Sequence, residues 1–192
     1  VDAVNTSPHP DNKIAACLFG SAPGIGPFSI VNVNRWPDAI ERAFGRETRI
    51  GSSSGTLHAE TACILQAPVT AGANLAITDP FCPNCAKNIA EAGIKTIYID
   101  HKGFDKDWTL RRVDEFTDLS LRIVERAGIR VCMIHRRDGK ITPMITPSQN
   151  YIPPDDRPIH VVTPPTPLFD ATVLKNFAQS FAPNVRGLPF AA

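Results

Sequence analysis

Nothing in this chain approaches the roughly 18 to 20 consecutive apolar residues of a membrane span. An excess of one charge is missing too: 20 Lys and Arg stand against 19 Asp and Glu, a formal net charge of +1. That balance excludes a strongly basic protein that binds nucleic acid non-specifically through its phosphates. A small-molecule substrate, or a nucleic acid read through a local patch, stays open. The opening residues hold no basic stretch followed by an apolar one, so no signal peptide is expected. Cysteines are few and odd in number, five in 192 residues. Cys17, Cys63 and Cys132 fall in apolar segments, where free thiols suit a reducing compartment, and a cytoplasmic location is expected.

What the chain does carry is concentrated between Thr56 and Ile94. Thr56-Leu57-His58-Ala59-Glu60 is followed by Asp79-Pro80-Phe81-Cys82-Pro83-Asn84-Cys85. One His and a Cys-x-x-Cys pair make three zinc ligands, and three rather than four leave a position open for water, as in a catalytic site. Glu60 is then free to move protons. Pro83 suits the first turn of a helix, which puts Cys82 near the N-cap and Cys85 one turn on. The helix dipole there favours thiolate, the form that binds metal. His58 is expected at the start of a helix from Thr56, as cap, to Gln66, after the flexible run Gly51-Ser52-Ser53-Ser54-Gly55. A structural zinc clip or a redox Cys-x-x-Cys are the alternatives, but neither explains His58-Ala59-Glu60.

Along the chain, residues 1–12 read as an irregular arm broken by Pro8 and Pro10. Strands are expected over 14–19, 28–33, 75–78, 96–100 and 129–134, with Gly20, Pro23, Gly24, Gly26 and Pro27 as the first hairpin loop. Residues 37–44 form a short helix with Ile40 and Phe44 on its inner face. The apolar spacing over 109–127 predicts a helix between the fourth and fifth strands, a crossover that makes them parallel. Asp138-Gly139 is a hairpin-type turn. Residues 143–192 hold ten of the eighteen prolines, yet Tyr151, Ile152, Ile159, Val161 and Val162 are too apolar for a free tail. An extended arm over 143–192, with a helix over 169–182, is expected beyond a domain of residues 1–142.

His58-Ala59-Glu60 with Cys82-Pro83-Asn84-Cys85 resembles the zinc-dependent cytidine and deoxycytidylate deaminase superfamily, whose signature is H-x-E followed by P-C-x-x-C. Thr78, and the run from Cys85 to Ile94, extend the resemblance, which covers roughly residues 13 to 135. Phe81 stands where the family has Pro, with Pro80 displaced by one. Asn34-Arg35-Trp36-Pro37 resembles the family's N-G-x-P turn, with Arg35 where Gly is usual, and the helix that usually opens such chains is missing. The crossover before the fifth strand resembles the deoxycytidylate, tRNA-adenosine and guanine deaminases rather than the small tetrameric cytidine deaminases.

The resemblance implies an α/β fold, a three-layer α/β/α sandwich on a mixed five-stranded sheet with a Pro-rich C-terminal extension. It implies Zn2+ on His58, Cys82 and Cys85, Glu60 as the proton shuttle, and hydrolytic deamination of a cytosine-type nucleoside or nucleotide. Asn34 is expected near the sugar, and a backbone N–H of Ala59 or Cys82 at the base carbonyl. Phe81 belongs to the pocket wall; His101, Lys102 and Lys106 lie on the loop where a phosphate would be held. A homodimer using the C-terminal arm is expected. A guanine, adenine or tRNA-adenosine deaminase is the rival within the same chemistry, and a non-catalytic zinc-binding scaffold the rival outside it.

Overall fold

The computed structural model describes residues 2–51, 53–111 and 118–148, with residues 172, 175 and 176 beyond them. The chain divides into two compact units, Val1–Arg157 and Pro158–Ala192, and the fold described is that of the first. The expected helix over 169–182 and most of the expected arm lie outside the described residues.

A short 3-10 turn, Asp2–Thr6, opens the chain. Strands β1 (Ala15–Ala22) and β2 (Gly26–Val33) then form an antiparallel hairpin. Its loop is only Pro23, Gly24 and Ile25. Gly20 and Pro27, expected in the loop, sit in the ladder opposite Phe28 and Ser21. Helix α1 (Asp38–Phe44) buries no residue. Phe44 is 55% exposed rather than inward, because it ends a two-turn helix and Gly45 turns the chain away behind it. The serine run is more ordered than its composition suggests. β3 (Arg49–Ile50) and β4 (Ser53–Ser54) pair there, and Gly55 passes so close to Glu47 that a Cβ would strike its carbonyl oxygen.

The remaining elements alternate: α2 (Ala59–Gln66), β5 (Asn74–Ile77), α3 (Pro83–Glu91), β6 (Thr96–Asp100), a 3-10 turn (His101–Gly103), α4 (Asp107–Leu110), α5 (Ser120–Arg126), β7 (Arg130–His135) and β8 (Lys140–Ile145). The sheet is mixed, flanked by helices, and ordered β2-β1-β5-β6-β7-β8. β5, β6 and β7 run parallel, as helical connections between neighbouring strands require. It has six strands, not the expected five. The sixth, β8, folds back on β7 across the turn at Asp138 and Gly139. Pro143 lies inside it, so the division expected at residue 142 cuts through a strand. Pro143 is tolerated because β8 is outermost, as Pro27 is in β2.

The core explains where the site forms. Leu18, Leu75, Ile97, Ile99 and Val131 are fully buried on one sheet face, with Cys63 of α2, Ile89 of α3 and Val124 of α5 above them. Each such aliphatic side chain contributes about 1.5 to 3 kcal/mol by leaving water. That packing clamps α2 against β1 and β2 and α3 against α5. It fixes where the first turns of α2 and α3 begin.

Candidate metal and proton-transfer site

Helix α2 begins later than its sequence suggests. Leu57 is held as strand: its N–H donates to Arg35 O at 2.8 Å, and Arg35 N–H donates to Leu57 O at 3.1 Å. Helix therefore cannot start at Thr56, whose hydroxyl lies 3.0 Å from Ser54 Oγ. The cap is His58, still extended at ψ 149°, and its imidazole makes no capping bond. Helix α3 starts as expected. Cys82 is the N-cap, Pro83 the first helical residue, and the Cys85 N–H donates to Cys82 Sγ at 3.4 Å.

These two helix starts bring three ligand atoms together. His58 Nδ1 lies 3.5 Å from Cys82 Sγ and 3.3 Å from Cys85 Sγ, and all three fall within 4.8 Å of one another. Bond lengths of about 2.1 Å to nitrogen and 2.3 Å to sulfur, at a tetrahedral angle, separate N from S by about 3.6 Å. One imidazole and two sulfurs at this spacing fit Zn2+. The protonation states fit as well. A hydrogen bond from the Cys85 thiol holds the Cys82 thiol well below the usual cysteine range, with His58 adding to the effect. The same bond pushes Cys85 up, and the bond to Cys82 raises His58.

Glu60, in the first turn of α2, is 2% exposed. Its Oε2 has no hydrogen-bond partner among the described residues. Burial pushes its carboxyl up to about 7, against the opposing pull of His58. A buried carboxyl left unpaired costs free energy unless something not yet bound takes up its proton or lone pair. Ala59, between Glu60 and His58, is fully buried, and its N–H is free of the helix ladder as a first-turn group.

The other expected contacts divide. Asn34 is 3% exposed, and its amide is occupied within the chain. Oδ1 accepts from Ser7 Oγ at 2.7 Å and from the Ile14 N–H at 2.9 Å, while Nδ2 donates to Asn12 O at 2.7 Å. Phe81 is 1% exposed and belongs to the core cluster that also holds Ala59 and Cys85. His101 and Lys102 are exposed. The His101 ring lies 4.8 Å from that of His135 and 4.0 Å from the Asp105 carboxylate. The Lys102 backbone N–H donates to Asp100 Oδ1 at 3.1 Å. Lys106 departs from the expected phosphate contact: Nζ lies 2.5 Å from Oδ1 of the wholly buried Asp79.

Asp79 is the residue whose part the sequence did not announce. Its Oδ2 accepts from Thr78 Oγ1 at 2.6 Å, and Thr78 Oγ1 in turn accepts from the Ala15 N–H at 3.1 Å. Gly103 lies flat on this loop, where any Cβ would meet Thr78 O and Asp79 Cα. The basic loop after β6 is thus bolted to the segment that presents Cys82. Asp-Pro ahead of a Cys-x-x-Cys was the available signal.

No family model matches the chain, and no curated protein does. Among solved structures, the chain is similar to dCMP deaminase. The dCMP deaminase from the cyanophage S-TIM5, in complex with dCMP and dUMP, is 20% identical with a TM-score of 0.44, over 68% of this chain and 86% of that one. The apo form from the same phage is 22% identical with a TM-score of 0.39, over 57% and 82%.

Proposed function

We propose that this chain is a zinc-dependent hydrolytic deaminase of a cytosine-type nucleoside or nucleotide. The observation that carries the reading is the pairing of a closed N,S,S ligand triangle with a buried carboxyl that makes no bond of its own at Oε2. A structural zinc clip has no use for Glu60, and a redox Cys-x-x-Cys has no use for His58.

His58, Cys82 and Cys85 hold the metal; when bound, zinc supplies the Lewis acidity that brings the pKa of water to about 7. Glu60 handles the protons. Burial pushes its carboxyl up toward the range in which a group both accepts and returns a proton readily. It takes a proton from the attacking water, gives it to the ring nitrogen beside the amino-bearing carbon, and assists the departure of ammonia. The N–H of Ala59, in the first turn of α2, or of Cys82, the cap of α3, orients the base carbonyl. Lys102 and His101 are the contacts proposed for a phosphate, while Lys106 positions the metal loop through Asp79. The working form is a homodimer in the cytoplasm. All five cysteines being free thiols supports a reducing compartment, and no helix among the described residues is long and apolar enough to cross a membrane.

The test is ammonia release by the zinc-loaded chain from cytidine, deoxycytidine, their monophosphates, guanine and adenosine. Release from a cytosine substrate is expected. Release only from a purine moves the chain to the rival deaminases, and release from none, with zinc bound, leaves a scaffold.

A further inference from the structure

One histidine outside the metal triangle has a buried ring, and no described residue is bonded to its outer nitrogen. His9 is 7% exposed, although it sits in the polar arm that precedes β1. Its ring stacks on Trp36, with centroids 5.7 Å apart and planes 11° from parallel. Trp36 is itself 3% exposed and fixed by donation from Nε1 to Glu47 O at 2.7 Å. His9 Nδ1 accepts from the N–H groups of Asp11, at 3.2 Å, and Asn12, at 2.9 Å. Those two bonds settle the tautomer: Nδ1 is bare, so Nε2 carries the hydrogen. Among the described residues no acceptor is bonded to that Nε2–H.

The arm is tied down on the metal side of the molecule. Ser7 and Asn12 bond the Asn34 side chain. Asn34 adjoins Arg35, which is paired antiparallel with Leu57, so by the same register Asn34 stands across from His58. The arm therefore holds the His9 ring on Trp36, two residues beyond Asn34, on the side of the molecule where α2 begins.

We infer that His9 is a specificity-determining residue whose Nε2–H donates a hydrogen bond to an acceptor oxygen of the substrate's sugar or phosphate. The inference rests on the deaminase reading for the kind of substrate, and on the stacked, buried, singly unpartnered imidazole for the contact. Stacking on Trp36 and the two bonds at Nδ1 leave the ring little freedom, so the donor is preorganised and loses little entropy on binding.

Two variants of the full, zinc-loaded chain separate this role from packing. His9→Asn keeps an acceptor for the Asp11 and Asn12 N–H groups but ends short of Nε2. His9→Gln reaches as far as Nε2 and ends in an N–H donor. With cytidine, deoxycytidine and their monophosphates as probes, His9→Asn is expected to raise KM and Kd about tenfold, the size of one lost hydrogen bond, with a smaller change in kcat. His9→Gln should recover most of that loss. A loss confined to the monophosphates marks a phosphate oxygen; a loss shared by all four marks the sugar. Unchanged KM and Kd in His9→Asn overturn the inference. So does a loss of affinity that follows a fall in melting temperature and is not recovered by His9→Gln. If the wild type binds these ligands but releases no ammonia, the deaminase reading fails and the Kd comparison still decides His9. If it binds none of them, both fall.

Discussion

The metal end of the site and its rim are held by different kinds of contact. At the metal end, His58, Cys82 and Cys85 come from two helix starts; that of α3 is set by its own neighbours, Cys82 and Pro83, and that of α2 by the pairing of Leu57 with Arg35. At the rim, Asn34 is held by Ser7, Asn12 and Ile14, 20 to 27 residues away. The first arrangement needs only correct helix starts and the core that clamps them. The second needs the arm, the end of β2 and the strand pairing at Leu57 to be in place together. The start of α3 is set by local structure, whereas the start of α2 and the contacts of Asn34 depend on long-range structure. Substitutions at the two ends should therefore fail differently, one by losing metal or turnover and the other by losing affinity and stability.

The sharpest separation is at the metal end. Cys82→Ala and Cys85→Ala should each lose tightly bound zinc by elemental analysis, with activity gone. Glu60→Gln should keep zinc at the wild-type level and lose at least about a hundredfold in kcat, the usual worth of a positioned acid or base. Zinc loss in Glu60→Gln would contradict its placement outside the ligand set.

Next in size is a pH effect on the metal-free chain. Folding raises the Glu60 carboxyl from 4.5 to about 7. A raised carboxyl contributes stability that is fully present below the unfolded value and lost as pH rises through the folded one. Between about pH 4.5 and 8 the wild type should lose up to about 3 kcal/mol relative to Glu60→Gln. The measure is the difference between the two proteins' denaturation midpoints across that range. A difference that does not vary with pH would mean Glu60 is not buried in solution.

At the rim, Asn34→Ala leaves the Ile14 N–H and the Asn12 carbonyl without their partner and takes one of two acceptors from the Ser7 hydroxyl, which keeps the residue-34 carbonyl. At about 1 kcal/mol each, melting should fall by roughly 5 to 10 °C while zinc content stays unchanged. If zinc and stability fell together, the two ends would not be separable. Smallest is Lys106→Ala, which among the described residues leaves the buried Asp79 side chain with Thr78 as its partner. A destabilisation of about 1 to 2 kcal/mol is expected, seen as a fall in melting temperature of a few degrees. A Lys106→Ala variant of full stability but weakened binding of monophosphates would return Lys106 to the phosphate-contact role.

How much of this was legible follows the same division. Pro83 between two cysteines determines a helix start in any fold, so Cys82 as cap could be read directly. Thr56 could not be read correctly, because its neighbour Leu57 is claimed by Arg35, a contact that exists only once β2 and α2 are side by side. The parallel pairing of β6 and β7 was readable from the helix between them. β8 was not, because Pro143 reads as a strand breaker unless the strand is known to be outermost. The Asp138-Gly139 turn was the signal that pointed the other way. His9 and Asn34 could be placed only by the folded chain, since no spacing rule joins residues so far apart.

The prolines of the outermost strands bear on how copies of this chain can meet. An exposed strand border is a template onto which another chain can add, and long flat borders invite aggregation. Here Pro27 in β2 and Pro143 in β8 each remove a donor from their strand, and the pairing of β7 with β8 is further bent by a register shift at Val131 and Cys132. Neither side of the sheet offers an unbroken run of donors to a neighbour. A dimer of this protein is thereby steered away from sheet continuation and toward contacts between side chains. Restoring the missing donors, as in Pro27→Thr with Pro143→Val, would be expected to yield fibrils or amorphous aggregates before it altered the fold of the monomer.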